Sequence, residues 1–383
     1  VSVTSPHGFR AAGVTAGLKA SGNPDVAVVV NDGPRDTAAA VFTTNRFPAA
    51  PVQWSRQVLQ TGRARAVVLN SGGANACTGP EGFQDTHATA EHAAAELGLG
   101  AVDIAVASTG LIGVRLPMAK LTAGVTAAVE ELSADGGEAA ARAIMTTDTV
   151  PKTTVQRRDG WTVGGMAKGA GMLAPSLATM LVVLTTDAVA DAEALQAALK
   201  QATAVSFERV DSDGCLSTND TVIVLANGAS GVTPSAAELT EALTAAATDL
   251  AMQLLADAEG STKDIAITVR HAASVEDALT AGRACARNNL LKTALFGNDP
   301  NWGRVLAALG TTDAAFESDQ VDVTINGVTV CRGGGLGDPR EGVDLTGRRI
   351  DIEVDLKAGT DEATIWTNDL SIAYVHENSA YST

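Results

Sequence analysis

The chain has 383 residues, 44 of them acidic and 27 basic, for a formal net charge of −17. Affinity for nucleic acid or an anionic membrane comes largely from Lys and Arg meeting phosphate, so neither partner is expected. Hydrophobic residues at 45% exclude wholesale disorder, and aromatics at 3% argue against a base- or sugar-stacking platform.

In chain order, short apolar runs bounded by Gly, Pro, Asn or Ser predict buried strands at 27–30, 38–43, 64–70 and 103–108. Residues 86–97 and 117–132 read as helices, the second with Pro117 at its first turn. Residues 164–174 read as a small-residue loop that feeds the apolar, strand-forming run 180–184. Helical spacing returns at 191–204 and 235–257. Further strands are predicted at 221–226, 264–270, 321–330 (a hairpin through Asn326-Gly327), 350–355 and 363–367. The glycine-rich stretch 333–337 reads as a surface loop. The class is mixed α/β, with mixed sheets flanked by helices, and the length suits two or three lobes.

No apolar run approaches the ~20 residues of a spanning helix, and residues 1–7 carry neither a basic nor an apolar signal region. A cytoplasmic protein is the expectation. Cys77, Cys215, Cys285 and Cys331 form no C-x-x-C pair, and His7, His87, His92, His271 and His376 form no H-E-x-x-H pair. No metal site is expected, and the histidines read as surface residues. The P-loop, the dinucleotide-binding glycine fingerprint and the G-x-S-x-G elbow are also missing from the sequence.

Chemistry concentrates at the junction of the glycine-rich stretch with the apolar run. On spacing alone this is an ordinary loop entering a buried strand. A sharper reading starts from Thr179, preceded by the small Ala178. Were the Ala178–Thr179 peptide broken, Thr179 would carry a hydroxyl and a free α-amine on one residue, the nucleophile and base of the N-terminal-threonine mechanism. An α-amine has a reference pKa of about 7.7–8.0, so a useful fraction is neutral near pH 7.

At these residues the sequence resembles the ornithine acetyltransferases, also called glutamate N-acetyltransferases, of arginine biosynthesis. Lys168-Gly169-Ala170-Gly171-Met172-Leu173-Ala174-Pro175, followed by Leu177-Ala178-Thr179-Met180-Leu181, is similar to that family's self-cleavage motif. Segments 70–79, 108–113, 145–149, 217–221, 299–304 and 378–383 resemble family segments in the same order, with Gly73 standing where the family usually has Asn. The resemblance implies a DmpA/ArgJ-like self-processing fold. Cleavage would give an alpha chain, 1–178, and a beta chain, 179–383, that stay associated, as a heterotetramer of two of each.

The resemblance further implies a ping-pong reaction. Thr179 takes acetyl from N2-acetyl-L-ornithine, and L-glutamate receives it. It assigns Thr109 and Gly110 to an oxyanion hole and Ala178–Thr179 to the cleavage site. Thr146, Lys168, Thr179, Glu259, Asn378 and Thr383 become substrate contacts, with Thr147 a rival for Thr146. Charge agrees: a carboxylate substrate needs a cation such as Lys168, and a substrate ammonium suits Glu259. The apolar run to Tyr374-Val375 suggests that the C-terminal segment is tied down. No cofactor is implied, although acetyl-CoA is a candidate second acetyl donor, which would make the enzyme multifunctional. The competing readings are an N-terminal-threonine amidohydrolase or aminopeptidase, and a non-catalytic amino-acid-binding protein.

Overall fold

The computed structural model describes residues 2–174 and 180–380; Ala178, Thr179 and Thr383 lie outside them. The described residues form three sheets with helices packed on them, a mixed α/β architecture as expected.

The first sheet orders Phe9–Val14, Val26–Asn31, Ala66–Asn70 and Ile104–Ser108, with only the last pair parallel. Val26–Asn31 is buried along its whole length, which is why it reads as an unbroken apolar run rather than an alternating one. The last two strands run side by side and end together, Asn70 opposite Ser108, so the turns that leave them open on one edge.

The second sheet orders Thr37–Phe42, Thr221–Ala226, Leu181–Thr186, Trp161–Lys168 and Lys152–Arg158. Its centre is the parallel pair Leu181–Thr186 and Thr221–Ala226. Alternate residues serve two cores. Met166, Leu181, Val183, Ile223 and Leu225 face the core shared with the first sheet. Val163, Ala167, Val182, Leu184, Val222 and Val224 face the core beneath helices Ala192–Ala204 and Ala236–Ala256. The predicted loop over 164–174 is corrected here, because Gly164 to Lys168 complete a strand. These glycines make room for close packing. A Cβ at Gly164 would stand 2.3 Å from the Ser2 carbonyl oxygen, and one at Gly165 2.7 Å from Leu184 Cδ2.

The third sheet orders Gly335–Leu336, Val328–Arg332, Asp322–Ile325, Arg349–Asp355, Asp264–Ala272 and Asp361–Asn368 over a core of its own. The predicted hairpin is present, with positive φ at both Asn326 (45°) and Gly327 (83°). The loop predicted at 333–337 is corrected in part, since Gly335–Leu336 pairs with Cys331 and Arg332.

The helices start where their caps say. Asp191 accepts the Ala194 N–H at 2.8 Å, and Ser235 with Glu238 closes a capping box. Helix Gly79–Leu97 begins a full two turns before the predicted residue 86, with a proline in its first turn. Among the described residues no helix is long and apolar enough to cross a membrane, and no cluster of His, Cys, Asp and Glu could hold a metal ion. Four of the histidines are exposed and His92 is half-buried.

Candidate active site

The two parallel strand ends of the first sheet build one wall of a cavity. Asn70 Nδ2 donates to Ser108 Oγ at 2.6 Å. The Thr109 N–H donates to the Asn70 carbonyl, and the Gly73 N–H to the Thr109 carbonyl, each at 3.0 Å. Gly110 follows with φ +131°, and a Cβ there would lie 2.8 Å from Gly73 N and 2.9 Å from Gly73 Cα. Neighbouring backbone therefore excludes any side chain at Gly110. Asn219 braces both turns, its Nδ2 donating to the carbonyls of Ala74 (2.6 Å) and Ser108 (2.7 Å). What this wall can offer a developing oxyanion is the Thr109 hydroxyl and the Gly110 N–H, which has no acceptor among the described residues. The Thr109 N–H is already committed.

Lys168 forms the floor. It ends its strand opposite Leu181, two residues past Thr179, and is 1% exposed, so it is not a solvated loop lysine. Its Nζ lies 3.5 Å from the Thr109 hydroxyl oxygen. Burial lowers its pKa; Asp148, Glu259 and Asp220 push the other way, and Lys152 reinforces the fall.

Asp148 joins the surrounding segments. Its Oδ1 accepts the Lys152 ammonium (2.6 Å) and the Gly169 N–H (2.7 Å), while Oδ2 accepts the Thr146 N–H (3.0 Å). Burial would raise the Asp148 pKa, but Lys168, Lys152 and these hydrogen bonds outweigh it and hold the carboxyl at about 2. Lys152 also reaches Asp257 Oδ2 at 2.6 Å, two residues before Glu259.

The opposite wall centres on Glu259. Its N–H donates to the Ala170 carbonyl at 2.8 Å. Its carboxylate accepts the Thr147 hydroxyl at 2.7 Å and the Asn378 side-chain amide at 2.9 Å. A Cβ at Gly171 would stand 2.4 Å from Glu259 Oε2, so the glycine is what lets the carboxylate sit there. Asn378 arrives on helix Ile372–Ala380. The expectation that apolar residues tie this segment down is corrected, since Ile372 and Val375 are exposed. Polar contacts anchor it instead: Ser371 Oγ donates to the Gly260 carbonyl at 2.5 Å, and Asn378 reaches Glu259.

Thr109, Gly110, Thr146, Thr147, Lys168, Glu259 and Asn378 thus line one cavity of about 580 Å³, although they come from five separated stretches of chain. Thr147, the rival of Thr146, is the one that contacts Glu259. Sequence reasoning assigned no role to three further charged groups. Lys19 also lines the cavity, and Asp148 organises it. Asp220, fully buried, accepts the N–H of Met180, the residue after Thr179, at 3.1 Å. Among the described residues its second oxygen has no hydrogen-bond partner. Burial holds the Asp220 pKa well above the usual carboxylate range, against the hydrogen bonds of Met180 and Ser217 and the charge of Lys168. Asp148 and Asp220 lie inside segments that resemble the family, but their type alone gave no role, and Lys19 carried no signal at all.

The ArgJ family model matches residues 10–383, so the chain belongs to the ArgJ family. It is 65% identical over 382 residues to the arginine biosynthesis bifunctional protein ArgJ of Streptomyces coelicolor, covering 100% of both chains. It is 64% identical over 383 residues to the protein of that name from Thermobifida fusca, again covering 100% of both. Among solved structures it is similar to the ornithine acetyltransferase of Mycobacterium tuberculosis complexed with ornithine, at 64% identity and a TM-score of 0.45. That match covers 46% of this chain and 95% of the other.

Proposed function

We propose that the chain transfers acetyl from N2-acetyl-L-ornithine to L-glutamate through an acetyl-threonine at Thr179. Membership of the ArgJ family supports the reaction. The observation that carries the site is the single cavity in which Thr109, Gly110, Lys168 and Glu259 meet, with Lys168 paired opposite Leu181.

The enzyme first makes its own nucleophile. The Thr179 hydroxyl attacks the Ala178 carbonyl carbon, the C–N bond breaks, and an ester forms. Water hydrolyses the ester, leaving a carboxylate on Ala178 and a free amine on Thr179. In each turnover that amine takes the hydroxyl proton as the oxygen attacks the acetyl carbonyl of the donor. The tetrahedral oxyanion meets the Thr109 hydroxyl and the Gly110 N–H. The proton passes to the departing α-amine of ornithine. Glutamate then brings a neutral α-amine to the acetyl ester, and the same steps run in reverse. Lys168 holds the α-carboxylate common to both substrates, Glu259 the side-chain ammonium of the donor, and Thr146, Asn378 and Thr383 complete the contacts. Acetyl-CoA is proposed as a second acetyl donor at the same threonine. The cleaved chains form a heterodimer, and two heterodimers pair.

The test is acetyl transfer itself. The purified protein with N-acetylornithine and glutamate should yield ornithine and N-acetylglutamate in equal amounts, with hydrolysis a minor path. Thr179→Ala should abolish both this transfer and chain cleavage. Release of free acetate in place of N-acetylglutamate would instead favour the hydrolase reading.

A further inference from the structure

We infer that Lys19 forms a second carboxylate subsite, one that recognises the side-chain carboxylate of the acetyl acceptor. The inference deepens the acetyl-transfer reading and rests on it. The two substrates differ in charge. Away from its acetamide, the donor carries one carboxylate and one ammonium, which Lys168 and Glu259 match one to one. Glutamate carries two carboxylates, and its α-amine must be neutral to attack. The acceptor therefore needs a second cation where the donor needs only one.

The cavity has that cation. Among the described residues lining it, the charged side chains are Lys19, Lys168 and Glu259. Lys19 is held from both ends. Fully buried Asp25 accepts the backbone N–H groups of Ala16 (2.6 Å), Leu18 (2.6 Å) and Lys19 (3.0 Å), which fixes the loop. At the other end Nζ donates to the carbonyls of Pro24 (2.9 Å) and Met145 (2.6 Å). An ammonium has three N–H donors, so these two bonds aim the head and leave a third for a ligand. Met145 directly precedes Thr146, which puts the ammonium beside a residue of the same cavity. Burial lowers the Lys19 pKa, Asp25 and Asp148 oppose the fall, and Lys168 adds to it. Two neighbouring cations that repel each other are both relieved when a dicarboxylate binds.

The test compares glutamate with glutamine, which has the same shape and no side-chain charge, as acceptors for the wild type and Lys19→Met. A hydrogen bond to a charged group accounts for about a 10- to 100-fold loss of kcat/KM for glutamate in the variant. The value for glutamine should stay within about twofold, and single-turnover release of ornithine from the donor likewise, which also reports an intact fold. Lys19→Arg should retain most of the preference for glutamate. An equal fall for both acceptors, an unchanged value for glutamate, or loss of the donor half-reaction would overturn the subsite. Failure of the wild type to release ornithine would overturn the acetyl-transfer reading, and the subsite with it.

Discussion

The N–H of Thr109 is held by the Asn70 carbonyl at 3.0 Å, so the residue can contribute to catalysis only through its hydroxyl. Losing one oxyanion donor typically lowers kcat about 10²- to 10³-fold, and Thr109→Ala should fall in that range. Thr109→Ser should recover most of the rate, because it restores the hydroxyl without touching the backbone pairing. Stopped-assay kcat values for the pair check this, and a Thr109→Ala rate equal to wild type would remove the residue from the hole. Gly110 is a different case, because its place is set by the Gly73 backbone that a Cβ would strike. At Gly73 itself a Cβ would meet, among the described residues, only the Leu116 side chain, with Cδ2 at 2.9 Å and able to shift, while its N–H keeps the bond to Thr109. The family resemblance, carried by motifs in the same order, pointed to Thr109, Gly110, Lys168, Glu259 and Asn378, which the fold brings to one cavity. Lys19 and Asp220 were not legible in the sequence, because their roles come from what surrounds them: two carbonyls around one ammonium, and full burial around one carboxyl.

Among the elements, strands buried on both faces announced themselves, as Thr221–Ala226 did to the residue. The hairpin Lys152–Arg158 to Trp161–Lys168 did not. It is rich in Lys, Arg, Thr and Gly, and although Gly160 (φ +77°) makes its turn, Gly164 and Gly165 inside the strand mark close approach. Helices Val275–Ala286 and Asn289–Phe296 were also missed, being short with only one buried stripe each. The same hairpin carries a stability prediction. Asp148 ionises at about 2 in the folded protein against an ordinary 3.8. Its folded pKa is depressed, so its contribution is complete above about pH 5 and fades as pH falls through 4 toward 2. The difference corresponds to about 2 kcal/mol, read as the pH dependence of urea midpoints between pH 6 and 3. Asp148→Asn should flatten that dependence. A wild-type midpoint that does not fall over this interval would contradict the carboxyl's assigned state.

On the scale of the whole molecule, the Ala178–Thr179 junction divides one sheet. Strands Thr37–Phe42, Lys152–Arg158 and Trp161–Lys168 precede it, while Leu181–Thr186 and Thr221–Ala226 follow it. Six residue pairs join Trp161–Lys168 to Leu181–Thr186, and six more join Thr37–Phe42 to Thr221–Ala226. The core shared with the first sheet also draws residues from both sides of the junction. A break there would open the chain without opening the fold, and the two pieces should separate only when the sheet is unfolded. The central claim is that Thr179 becomes an N-terminus, and terminal sequencing of the active protein, run beside native and denaturing gels, tests it most directly. The account predicts two fragments on the denaturing gel, one species on the native gel, and a second N-terminus reading Thr-Met-Leu-Val. Fully active protein with a single intact chain would contradict it.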